Sequence, residues 1–120
     1  MYKFYNPNPL KKSVGDCVVR AICKAINQDW RAVFVSLFVV ALQNCDMPSA
    51  NYVWSELLTD MGFKKHLIDK NMSIKDFSES HNRGTYVVGT GSHVVCVENG
   101  DYFDSWDSGN ETANFYFSKE

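Results

Sequence analysis

The sequence predicts an α+β protein in which N-terminal helices pack on a small C-terminal antiparallel β-sheet. Three observations carry this expectation. Residues 15–61 repeat apolar side chains at three- and four-residue spacings. After residue 84 the pattern changes to short β-branched and aromatic runs: "TYVVG", "HVVCVE", "DYFDSW" and "NFYFS". Between the second and third of these lies Asn99-Gly100, a dipeptide that strongly favours a two-residue hairpin turn. Helices followed by strands describe a segregated layout. With 120 residues, a single domain with one core is expected over residues 1–120.

The elements follow in order. Residues 1–13 contain "NPNP", and each residue before a proline is pushed toward extended backbone, so this stretch reads as an extended N-terminal arm. Residues 15–27 form a first helix with Val18, Val19, Ile22, Cys23 and Ile26 on its apolar face. Asp16 is its expected N-cap, and Asn27 ends it. Residues 29–44 form a second helix capped by Asp29, with Trp30, Val33, Phe34, Leu37, Phe38, Ala41 and Leu42 in a wide apolar stripe. Its four valines make a strand conceivable, but its unbroken length favours a helix. Being apolar almost all round, it is expected to lie deep. A third helix spans 49–61, capped by Ser49 and stopped by Gly62. "FKKHLI" reads as extended. Ser73 and Asp76 form an acidic variant of the capping box and open a short helix through about His81.

Composition excludes several classes. Apolar residues make up 45% and charged residues 22% of the chain, which argues against disorder. The net charge is −2 and the pI about 5.9, so neither nucleic acid nor an anionic membrane is an expected partner. The most apolar run, "AVFVSLFVVAL", is too short to cross a bilayer. The N-terminus has no secretory pattern, and a cytoplasmic location, in its own cell or a host's, is expected. The four cysteines form no C-x-x-C pair. They are expected as free thiols, with no metal site and no cofactor.

Cys17 stands where the first helix begins. That position carries partial positive charge and open N–H groups, which stabilise a thiolate. A buried free cysteine is equally a common core residue, so the other residues must decide. A nucleophilic thiol needs a base, and the base needs an orienting group. His66 lies in a charged stretch and is expected to face water. His81 lies at a helix end, where it complements the dipole. His93 opens the strand after "GTGS". A two-residue Asn99-Gly100 turn pairs Glu98 with Asp101, Val97 with Tyr102 and Cys96 with Phe103. It therefore sets Asp104 diagonally from His93, on a face shared with Val95, Val97 and Tyr102. A carboxylate on that buried face requires a partner, and His93 is available, with Trp106 able to shield the pair. Asp107 is the second choice for the acid. Both aspartates also fit a plain polar turn in "DSWDSG".

A cysteine at the head of the first helix, a histidine at the head of a strand and an acid on the next strand, in that order, resembles the papain-like cysteine peptidases. The likeness is nearest to compact bacterial and phage-type members such as the bacteriocin-processing and NlpC-like peptidases. It rests on "GDCVVRA" and "SHVVCVENGDYFDSWDSG" and spans about residues 8–109. It implies a minimal papain-like fold with Cys17 as nucleophile, His93 as general base and then acid, and Asp104 orienting the ring. It also implies an oxyanion site made by the Cys17 N–H and an upstream side chain. Where such enzymes often carry Gln, this chain has Lys11; Asn8 is the nearest amide and Asn6 the next. Arg20, one turn below Cys17, is unusual beside such a site and is expected either to pair with Asp16 or to stay solvated. The implied activity is hydrolysis of a peptide, isopeptide or amide bond in a peptide or protein substrate, through a thioester. The alternative is a catalytically weak or inactive papain-like protein acting as a protein-binding factor.

Overall fold

The computed structural model describes residues 1–119. The chain runs β1 (Tyr2–Phe4), α1 (Cys17–Ile26), α2 (Trp30–Asn44), α3 (Asn51–Asp60), β2 (Lys64–Leu67), α4 (Ile74–Ser80), β3 (Thr85–Gly89), β4 (Val94–Glu98), β5 (Asp101–Asp104) and β6 (Phe115–Ser118). The class is α+β, as expected. The helix ends follow local chemistry. Asp29 accepts from the Ala32 N–H, Asn27 closes α1 in the left-handed region at φ 54°, and Ser73 and Asp76 form both bonds of a capping box. Ser49 does not cap α3, which begins one residue later than that role requires, after Ala50.

The six strands form one sheet in the order β1-β5-β4-β3-β6-β2. Asn99 and Gly100 both take positive φ, 51° and 87°, as a tight right-twisted hairpin demands. The expected register results: Cys96 faces Phe103, Val97 faces Tyr102 and Glu98 faces Asp101. The sheet is mixed, which corrects the purely antiparallel expectation. Residues Tyr2–Phe4 leave the N-terminal arm to pair in parallel with β5, Lys3 opposite Phe103. At the far edge β2, from "FKKHLI", pairs with β6.

Alternation along the strands divides the core. Val87, Val94, Cys96, Phe115 and Phe117 pack with α1, α2 and α3. Val88, Val95, Val97 and Tyr102 pack with Ile74 and Phe77 of α4. The sheet is therefore covered on both faces. Trp54, fully buried, stacks on Phe115 and meets Phe117 edge-on, which anchors α3 to β6.

Helix α2 corrects a second expectation. Only Val33, Leu37, Val40 and Ala41 are buried, while Phe34, Val35, Phe38, Val39 and Leu42 are exposed, each by 43–67%. Its outer face is as apolar as its inner one. Among the described residues no single helix is long and apolar enough to cross a membrane.

Candidate active site

The site forms where the first turn of α1 meets the open ends of β4 and β5. Cys17 is the first residue of α1, His93 immediately precedes β4, and Asp104 ends β5. Fold topology brings the three together: α1 packs on β4 and β5, and the Asn99-Gly100 hairpin sets the two strand ends side by side.

His93 Nε2 donates to Asp104 Oδ2 at 2.6 Å. That leaves Nδ1 for the thiol, and Cys17 and His93 stand in the walls of one recess. Burial pushes the Cys17 thiol up; the His93 hydrogen bond and charge, the Val94 N–H and Arg20 outweigh it and bring the thiol below its ordinary value. Burial likewise disfavours the His93 imidazolium, but bonds to Asp104 and Cys17 prevail and raise it to about 9. The two shifts are coupled, each group favouring the charged form of the other. The other buried thiols go the opposite way. Burial pushes Cys23 up to about 12 and raises Cys96 further. Of the three, Cys17 alone is both shifted toward the thiolate and reachable, being half-buried.

Asp104 is fully buried, yet it stays ionised. Burial opposes the charge, and His93, Ser108 and Arg20 hold the carboxyl below its usual range. Five donors converge on it. Oδ1 accepts from Arg20 Nε (3.1 Å), Arg20 Nη2 (2.8 Å) and the Ser105 N–H (2.8 Å), and Oδ2 from His93 and Ser108 Oγ (2.6 Å). Such a carboxylate is a strong acceptor with a fixed direction. Trp106 packs against the imidazole at a tilt of 44°, ring centroids 4.9 Å apart.

Arg20 is neither solvated nor paired with Asp16 alone. It is 4% exposed and bridges Asp16, one helical turn back, to Asp104 on the sheet. Asp16 also accepts from Trp30 Nε1 at 2.9 Å. Its carboxylate is thus drawn away from the backbone, and no side chain caps α1. The expected capping role is not filled, and the first-turn N–H groups of α1, Cys17's among them, stay open toward the cleft.

Cys17 lies between two recesses. One, of about 360 Å³, is walled mainly by apolar side chains, among them Val14, Trp30, Phe34, Met47 and Pro48. The other, of about 220 Å³, is the more polar of the two, with Ser49, Asn51, Thr90, Ser92 and His93 beside Val18, Trp54 and Val94 in its walls.

Not every expected site residue is in place. Asp107 is exposed and accepts from Tyr102 Oη (2.6 Å) and the Gly109 N–H (3.0 Å), so it organises the turn and does not reach the ring. Asn8 is buried, and its side-chain oxygen accepts from the N–H groups of Leu10 and Lys12. Asn6 accepts from the Asn8 N–H and donates to the Lys12 carbonyl. These two amides fold the loop before α1, and neither they nor Lys11 lines the recesses at Cys17. His66 is half-buried against the Tyr116 ring, not in open water. His81 stacks on Phe77 at the end of α4. Among the described residues no group of three or more His, Cys, Asp or Glu side chains is arranged to hold a metal ion.

Two partners of Asp104 escaped the sequence reading, Ser108 and Arg20, although the pairing of Arg20 with Asp16 was among the expectations. Arg20 had a signal: it is the one charge inside the buried run Val18 to Cys23. Ser108 had almost none, since a serine in "DSWDSG" is ordinary turn composition. No protein-family model matches this chain, and neither does any curated protein or solved structure.

Proposed function

We propose that the protein is a papain-like thiol hydrolase that cleaves a peptide, isopeptide or amide bond in a peptide or protein substrate. The observation that supports it most is Cys17 on an uncapped helix start, its thiol shifted toward the thiolate by a histidine that Asp104 orients. The Cys17 sulfur attacks the carbonyl carbon, and negative charge moves to its oxygen. The Cys17 N–H and the positive end of α1 stabilise that charge. The His93 Nδ1 proton passes to the leaving nitrogen, the C–N bond breaks, and a thioester remains. His93, now neutral, takes a proton from water as the water attacks the thioester, and the thiolate departs. The apolar recess would take a large apolar side chain of the substrate, and the polar one the chain on the other side of the scissile bond. Four free thiols fit a reducing compartment, so a cytoplasmic site of action, in its own cell or a host's, completes the proposal.

One observation favours the alternative, a binding factor on the same framework: the amides of Asn6 and Asn8 do not line the cleft. The readings separate with a p-nitrophenyl ester of an apolar acyl group. The hydrolase releases nitrophenol over more than one equivalent of protein, and Cys17→Ala abolishes the release. Release that stops at one equivalent, is absent, or survives Cys17→Ala sinks the hydrolase reading.

A further inference from the structure

Behind His93 a chain of polar side chains runs from Asp104 to the wall of the apolar recess. Asp104 Oδ2 accepts from His93 Nε2 and Ser108 Oγ, each at 2.6 Å. Its other oxygen, Oδ1, accepts from Arg20 Nε at 3.1 Å, Arg20 Nη2 at 2.8 Å and the Ser105 N–H at 2.8 Å. The last torsion of an aspartate is broad and two-fold, so the side chain's own preferences do not fix which oxygen points where. Arg20 makes two of the three bonds to Oδ1 and therefore holds the carboxylate against that rotation. The guanidinium is braced in turn. Its Nη1 donates to Asp16 Oδ1, and Asp16 Oδ2 accepts from Trp30 Nε1 at 2.9 Å. Trp30 and Asp16 both line the apolar recess beside Cys17. Arg20 lies on α1, three residues after Cys17, and Asp104 ends β5. One side chain thus ties the helix that carries the thiol to the strand that carries the acid.

Stability alone is a poor reason for this arrangement. Desolvation offsets most of the attraction in a buried ion pair, and apolar side chains of similar volume do as well or better. Yet Arg20 interrupts the otherwise apolar buried run Val18 to Cys23. Nor do the charges balance among these three residues. Two carboxylates meet one guanidinium, which leaves one buried negative charge, and a protonated His93 at 2.6 Å from Asp104 neutralises it. We propose that Arg20 is the positioning residue of the site: it clamps Asp104 Oδ1, braces on Asp16, and so holds Oδ2 on the His93 ring and the ring beside Cys17. The use of that position in catalysis rests on the hydrolase reading; the position itself does not. Lysine cannot replace Arg20 here. An ammonium carries the charge but lacks the rigid planar fork, so it cannot hold two N–H groups on Asp104 and a third on Asp16 in fixed directions.

Proton NMR of the nitrogen-15-labelled full chain tests this independently of turnover. In the wild type the His93 Nε2–H, held in a short charge-assisted bond, should give a far-downfield signal protected from exchange. In Arg20→Lys, shown to be folded by circular dichroism, that signal should broaden away. A purely structural Arg20 would lower the melting temperature of the variant and leave the proton of its folded form unmoved. A wild type without the signal, or a folded Arg20→Lys that keeps it, overturns the proposal. Should Arg20→Lys fail to fold, Trp30→Phe decides. It withdraws only the outermost bond of the chain, the one to Asp16, and should hasten exchange of the His93 proton; exchange at the wild-type rate overturns the proposal. Where the wild type hydrolyses the p-nitrophenyl ester, Arg20→Lys should lower kcat by about 10²-fold with KM nearly unchanged, as for a catalytic group misplaced by about 1 Å. An unchanged kcat also overturns it. The hydrolase reading fails separately: a wild type that shows the signal, loses it in Arg20→Lys and releases no nitrophenol keeps the clamp and loses the chemistry.

Discussion

Asp104→Ala is expected to lower the unfolding free energy by about 3–5 kcal/mol, the cost of stripping one partner from a buried ion pair. The carboxylate is fully buried and accepts five hydrogen bonds. Its loss leaves Arg20, 4% exposed, with Asp16 as its remaining anion, and leaves Ser108 and His93 without their acceptor. Small domains hold roughly 5–15 kcal/mol in total, so the variant should be close to unfolding at 37 °C. Asp107→Ala, which frees only an exposed turn and the Tyr102 hydroxyl, should cost no more than about 1 kcal/mol. Urea denaturation of both variants checks the contrast. Equal losses would mean that the acid of the network has been misassigned.

His93→Ala is expected to have the second large effect, and its size should depend on the leaving group. Without the imidazolium the Cys17 thiol returns toward its ordinary range, so at pH 6 the thiolate fraction falls. Acylation by a p-nitrophenyl ester, whose leaving group needs no proton, should slow in proportion. An amide also loses its general acid, worth a further 10² to 10⁴ or so. The ester defect should shrink as the pH approaches 9, where an ordinary thiol ionises unaided; the amide defect should persist. Rates measured for both substrate types across that range give the comparison. An ester defect that is independent of pH would show that His93 does not set the state of the thiol.

Much of the site was legible because it rests on local rules. Asn99-Gly100 dictates a turn, the turn dictates register, and register places Asp104 within reach of His93. The helix start places Cys17. What could not be read depends on contacts distant in sequence. Arg20 and Asp104 are 84 positions apart, and nothing near Arg20 signals its partner. Trp30 draws Asp16 off the helix end from 14 residues away, so a good capping residue leaves its helix uncapped. β1 is only three residues long, in a proline-rich arm, and its pairing with β5 comes from the far end of the chain. The depth of α2 was misjudged for a different reason. Its pattern is apolar on both sides, and hydropathy alone assigns both to the interior, although one sheet face has room for one side of that helix.

The central claim is that Cys17 is held as a thiolate by the ring of His93. The most direct measurement is the rate of Cys17 alkylation by iodoacetamide as a function of pH, in a Cys45→Ser background that removes the other exposed thiol. The account predicts that the alkylation rate of Cys17 rises at a lower pH than that of an ordinary thiol, with a further change near 9 as His93 loses its proton. A single titration at the ordinary thiol value of 9.0, unchanged by His93→Ala, would contradict it.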